Sequence, residues 1–362
     1  QSMPVTCRLL STNLADEVKV WIGGKDATSG GGVLFRGQPG TVKLEPKPGS
    51  PIAGYPIALK RTATSPLLPT DLSSSPRFDD VGTTHEWNVT GLNNKSGYFQ
   101  LQIVAQGMTT FNVTANRLLS SDLKDEVEKV EVNGVGISDI GAVFWRKETR
   151  PLAVTFAESM RGLYVSLDET GSPGMTYNPP LKAPRKIPDD LKLEWQVTGG
   201  DRSSVFELQV ICADVETPLT IESRVMSKIT TDEIESLKVN GEPVDLTQPE
   251  FLFFRAGNYT IELIPKPESA LIGLNVALAG GGGVELGMIY EPPLEKLHPL
   301  TEAGLKWTVT GGATQSGLFD LLIDVPQVEQ SMAVTCRLLS TNLADEVTVL
   351  LNGVEMPLTG AD

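Results

Sequence analysis

Glu194-Trp195-Gln196-Val197-Thr198-Gly199-Gly200, followed by Ser204-Val205-Phe206-Glu207-Leu208-Gln209-Val210, decides how this chain folds. Trp195 and Val197 alternate with Gln196, so an extended segment has one apolar face and one wet face. Thr198-Gly199-Gly200 then supplies a turn. The same grammar occurs at Glu86-Trp87-Asn88-Val89-Thr90-Gly91 and at Lys306-Trp307-Thr308-Val309-Thr310-Gly311. An alternating run follows each, from Ser96 to Ile103 and from Ser316 to Ile323. Phe99, Leu101 and Ile103, separated by Gln100 and Gln102, have the period of a half-buried antiparallel strand.

Working outward, other landmarks keep the same spacing, which marks a tandem repeat. Val33-Leu34-Phe35-Arg36 matches Val143-Phe144-Trp145-Arg146 and Leu252-Phe253-Phe254-Arg255. Residues 2–20 return at 331–349 with only Pro4/Ala333 and Lys19/Thr348 changed. Arg8, Arg117, Arg224 and Arg337 follow one another at intervals of 109, 107 and 113 residues. Each leads to an acidic pair: Asp16-Glu17, Asp125-Glu126, Asp232-Glu233 and Asp345-Glu346.

One repeat reads as about seven short strands punctuated by Gly, Pro and Asn, the pattern of an immunoglobulin-like β-sandwich. In the third copy the expected strands are Leu237–Val239, Tyr259–Leu263, Ile272–Leu278, Leu305–Val309, Leu318–Ile323 and Val334–Leu338, the last two joined around Pro326-Gln327-Val328. Asn133-Gly134, Asn240-Gly241 and Asn352-Gly353 are tight-turn signals. No stretch has a sustained helical period; Asn13 to Glu17 and its copies allow one helical turn. The fold class is therefore all-β, with tandem immunoglobulin-like sandwiches in an elongated rod. On this phase the modules are 12–119, 120–226 and 227–339, with residues 1–11 as the final strand of a preceding or partner module and 340–362 as a partial fourth repeat. Boundaries fall in polar segments such as Ser11-Thr12-Asn13, where few contacts are expected to cross. The ends suit excision from a longer array, or assembly in which a terminal strand completes a neighbour's sheet.

Composition narrows function. The chain has 362 residues, with 45 Asp and Glu against 30 Lys and Arg, a formal charge of −15. That charge disfavours nucleic acid and anionic membrane surfaces. No apolar run approaches the roughly 18–20 residues that span a bilayer. Three Cys, at 7, 212 and 336, give no disulfide framework, and two His leave little for a histidine-based centre.

The candidate sites follow from the repeat. Trp87, Trp195 and Trp307 hold one module position and read as core anchors rather than a repeated sugar platform. Trp21 and Trp145 have no aligned Trp partner and are the candidate ligand aromatics, although their alignment with Leu350 and Phe254 favours burial. Asp16, Glu17, Asp125 and Glu126 sit at module junctions, where carboxylates from two modules can share a calcium ion, yet no Asp-x-Asp-x-Asp-Gly loop occurs. The simpler reading makes Asp16, Asp125, Asp232 and Asp345 inter-module contacts. They would pair with Arg8, Arg117, Arg224 and Arg337, or with Arg36, Arg146 and Arg255. Gly280 to Gly283 is a loop, because no Lys-Ser/Thr follows it. His85 and His298 lie at different module positions, so no nucleophile–His pairing can be argued. Asn88, Asn112 and Asn258 fit the short glycosylation pattern.

The period near 110, the Trp-Xaa-Val-Thr-Gly element and the Ser-Gly-Xaa-Phe strand resemble the bacterial immunoglobulin-like tandem repeats of large surface adhesins and stalk proteins. The resemblance covers the whole chain and carries over no binding residue. It implies an extracellular or cell-surface location and a non-enzymatic, cofactor-free segment that spaces or presents a binding tip. Partners would be neighbouring repeats, other copies of the chain, or a cell-surface glycan or protein. The alternatives are a fibre-forming subunit that polymerises head to tail by strand addition, and a carbohydrate-binding array.

Overall fold

The computed structural model describes residues 7–62, 71–92, 94–171 and 174–356. Most of the expected terminal strand 1–11, and the end of the partial repeat beyond 356, lie outside these residues. Cys7 to Ser11 belong to no strand.

The chain forms three successive pairs of five-stranded sheets and a terminal two-stranded hairpin. In the first pair a single helical turn, α1 (Leu14–Glu17), precedes β1 (Val18–Ile22), β2 (Lys25–Asp26), β3 (Val33–Phe35), β4 (Pro39–Pro46) and β5 (Ile57–Arg61). β6 (Leu72–Ser75), β7 (Val81–Gly82), β8 (Glu86–Gly91), β9 (Gly97–Ala105) and β10 (Phe111–Leu119) complete it. One sheet has the order β2-β1-β4-β8-β6 and the other β3-β10-β9-β5-β7. All pairings are antiparallel except β3 with β10. The plan repeats from Val127–Val132 to Leu219–Met226 and from Ile234–Val239 to Met332–Leu339. This is the tandem immunoglobulin-like architecture.

Alternation explains the cores. Val20, Ile22, Val42, Trp87 and Val89 from one sheet meet Phe99, Leu101, Ile103 and Val113 from the other, all buried. Trp87, Trp195 and Trp307 are at most 1% exposed, so they are the anchors between sheets rather than a surface platform. Asn133, Asn240 and Asn352 each have φ near +51 to +52°, followed by glycines at +78 to +86°, the paired left-handed residues of a type I′ turn.

The sandwich has ten strands rather than seven. The added ones are very short edge pairings and the parallel strand that in the third sandwich is Glu250–Phe254. Three residues, Val33 to Phe35, are too few to display a period. The chain reaches them by crossing from one sheet to the other through Gly30, Gly31 and Gly32. A Cβ on Gly32 would lie 2.5 Å from Cβ of Ile22, which makes this crossing a glycine position. The expected strand Ile272–Leu278 starts later, at Asn275–Ala279, because the buried residues Ala270, Leu271 and Leu274 lie in the preceding turn. The hairpin around Pro326 forms as read.

Candidate functional site

The junctions hold the most elaborate polar chemistry. At the first, β10 ends at Leu119 and a 3-10 turn, Leu123–Glu126, leads into Val127–Val132. Asp122 caps the turn, its carboxylate accepting from the Lys124 N–H at 2.9 Å. This geometry carries Glu126 inward until it is 0% exposed. Its Oε1 accepts from the backbone N–H of Ser120 at 2.6 Å and from the Ser96 hydroxyl; its Oε2 accepts from the Ser159 hydroxyl at 2.6 Å. Ser96 belongs to the first sandwich, Ser120 to the connection and Ser159 to a turn of the second. One buried carboxylate therefore ties three segments together, with charge-assisted bonds offsetting its desolvation.

The arrangement repeats. Glu233, 1% exposed, accepts from Ser227 N–H at 2.7 Å, from the Ser203 hydroxyl and from the Ser269 hydroxyl at 3.1 Å. Glu17 accepts from Ser11 N–H at 2.7 Å and from the Ser50 hydroxyl. Glu346 accepts from Ser340 N–H and the Ser316 hydroxyl. These donors hold the carboxyls of Glu17 and Glu346 below the ordinary carboxylate range; Ser50 dominates in the first case and Ser316 in the second.

The neighbouring acids and arginines divide the work. Asp125 pairs with Arg36 at 3.1 Å, Asp232 with Arg146 at 2.8 Å and Asp345 with Arg255 at 3.3 Å. Asp16 instead accepts from the Ser11 hydroxyl at 2.9 Å and from the Asn13 amide at 3.2 Å. The other arginine series does not meet these acids. Arg117 donates to the carbonyls of Ser159 and Arg161 and stacks over the Tyr98 ring at 5.0 Å. Arg224 donates to the carbonyls of Ala270 and Ile272, both at 2.8 Å. Burial pushes its guanidinium pKa down. Arg8 approaches Gly54 as Arg117 approaches Gly162 and Arg224 approaches Gly273. Arg337 pairs with Glu250.

Backbone bonds fasten each connection to the sandwich it leads into, while an ion pair and apolar contacts cross from one sandwich to the next. Leu123 N–H donates to Thr217 at 3.0 Å and Thr217 N–H returns to Ser121 at 2.9 Å; Thr230 and Lys228 exchange the same bonds with Gln330. Lys25 pairs with Asp214. Val33 and Leu119 pack in the second core, and Trp145 and Met226 in the third. The expectation of few contacts at the boundaries is thus corrected: polar residues there are fastened to both sides.

Trp145 is 4% exposed, with Arg150 over its ring at 5.0 Å, so it is unavailable as a ligand aromatic. It fills the junction where its neighbours carry Phe35 and Phe254. Trp21 lies on the wet face of β1, partly exposed, its Nε1–H donating to Glu45 at 2.8 Å. The calcium candidates Asp16, Glu17, Asp125 and Glu126 already hold protein donors. Among the described residues no group of three or more His, Cys, Asp or Glu could hold a metal. No helix among them is long and apolar enough to cross a membrane.

The serine partners escaped the reading of the sequence. Counting back from the buried Phe99, Phe206 and Phe319 gives Ser96, Ser203 and Ser316, so Ser203 rather than Ser204 is the counterpart of Ser96. Each lies 30 residues before its glutamate in the three copies, at Glu126, Glu233 and Glu346. The six-residue spacing from serine N–H to glutamate is also constant.

No family model matches the sequence, and no curated protein matches it. Among solved structures, the chain is similar to the Escherichia coli adhesin FdeC at 13% identity, with 92% of this chain and 99% of that one covered and a TM-score of 0.30. It is similar to invasin, a bacterial integrin-binding protein, at 12% identity, over 93% and 63% of the chains, with a TM-score of 0.25. The D0-D1 domain of intimin matches at 12% identity over 59% and 99%, with a TM-score of 0.24. An adhesin is thus among its structural neighbours, together with Drosophila OTK extracellular domains and fibronectin(III)-like modules of Clostridium thermocellum CbhA.

Proposed function

We propose that this chain is a non-enzymatic segment of an extracellular bacterial surface protein, whose sandwiches act as a stiff spacer beneath a binding tip. The observation that carries the reading is the buried glutamate of each junction, bonded at once to both sandwiches and to the connection between them. A flexible tether needs no such investment in buried polar bonds, whereas a spacer that must hold its reach does. The charge of −15 adds mutual repulsion between neighbouring chains. Display of the chain between a membrane anchor and a fluorescent tip on a bacterial cell tests it. Tip height should increase with each sandwich by nearly one sandwich length and fall in the double variant Glu126→Ala, Glu233→Ala. Height growing as for a flexible coil in the unaltered chain would overturn the proposal.

A second reading is favoured by one feature of the surface. In the hairpin Val349–Leu351 and Val354–Met356, Leu350, Leu351 and Val354 are 60–66% exposed, beside sequence nearly identical to residues 2–20. A fibre-forming subunit would use such strands for head-to-tail addition. Concentration-dependent light scattering of the full chain, lost on removal of residues 1–11, supports it; scattering that is absent or unaltered removes it.

A further inference from the structure

We propose that Trp21 is the platform of a single binding site for uncharged glycans on the outer face of the first sandwich. On β1, Val18, Val20 and Ile22 point into the core at 0% exposure, so Lys19 and Trp21 occupy the wet face. The fold does not ask for an aromatic there. Register places Ile22 opposite Val42, Val132 opposite Leu152 and Val239 opposite Ile261, so the counterparts of Trp21 are Glu131 and Lys238. Two sandwiches put a charge where the first puts an indole.

The surroundings suit a sugar. Trp21 stands opposite Asp26 on one side and Lys43 on the other, within a flat row of cross-strand neighbours. The bond from Nε1 to Glu45 fixes the ring, which is pre-organised as a stacking surface for the C–H face of a pyranose. A shallow cavity of about 370 Å³ lies over it, lined by Trp21, Gly24, Thr41, Lys43 and Glu45. That volume is at the small end of ligand sites, roughly 300–1,000 Å³. Among the described residues, the Lys43 ammonium and the Thr41 hydroxyl make no hydrogen bond or ion pair, and Glu45 bonds only Trp21 through Oε2. A donor, a hydroxyl and a free carboxylate oxygen thus surround an apolar plane, the combination that sugar hydroxyls and C–H groups satisfy together. Glu45 and the net charge of −15 oppose sialylated or sulfated ligands.

An array carrying uncharged gluco-, galacto- and manno-oligosaccharides beside sialylated glycans, probed with the full chain, tests the site. Trp21→Lys, which copies Lys238, keeps a wet-face residue and should leave the unfolding temperature unchanged. Glycans retained by the unaltered chain should bind about tenfold or more weakly to Trp21→Lys, and Trp21→Phe should fall between, because it keeps a ring but not the Glu45 bond. Acrylamide quenching gives a second readout: the other four Trp are at most 4% exposed, so a bound glycan should protect Trp21 selectively. Absence of any bound glycan, binding unaltered in Trp21→Lys, or capture of sialylated glycans alone overturns the proposal.

Discussion

Glu126 gathers the polar contacts of the first junction, as Glu233 does those of the second. Its two oxygens satisfy three donors from three segments. Replacement by Ala orphans buried hydroxyl and amide groups, at about 1–3 kcal/mol for such a loss. Urea unfolding of Glu126→Ala should show that decrease; a change under about 0.5 kcal/mol, the range of ordinary surface substitutions, would place the carboxylate outside the fold's supports. Glu17 yields a pH test. Its folded pKa lies below its ordinary 4.5, so its contribution is complete above that value and disappears as pH falls through the folded pKa. Glu17→Gln should therefore be less stable than the unaltered chain at pH 7, with the gap closing below about pH 4.5. A gap that is constant with pH contradicts this. None of it was legible from Asp-Glu pairs alone, because sequence does not reveal that serines 30 residues before and 33 residues after Glu126 converge on it.

At the scale of elements, the strands with alternating side chains were readable and the others were not. Gly97–Ala105 declares itself through Phe99, Leu101 and Ile103, whose hydrophobic faces the sheet needs in register. Trp195, 0% exposed, is readable for the same reason. Trp195→Ala should cost about 3–5 kcal/mol, seen as a shift in the denaturant midpoint. An unshifted midpoint would mean that the second core does not depend on its Trp. The parallel strands Val33–Phe35 and Ala142–Trp145 were visible only as repeated landmarks, because their pairing is set by the distant last strand of each sandwich. Trp145 shows the same limit: its burial comes from the following sandwich, which local pattern does not describe.

For the whole molecule, the repeat dictated three sandwiches, but the bonds that cross between them emerged only from the structure. Each connection is short and bonded on both sides, so the central claim concerns orientation: consecutive sandwiches are held in one arrangement by the buried glutamate, its serines and the Arg–Asp pairs. The measurement that tests it most directly is a distance distribution between spin labels placed on Lys60 of the first sandwich and Lys182 of the second, in a chain whose native cysteines are replaced by serine. The account expects one narrow distribution for the otherwise unaltered junction, broadening in Glu126→Ala while both sandwiches stay folded. A broad distribution with Glu126 in place, or one that Glu126→Ala leaves unchanged, would contradict it.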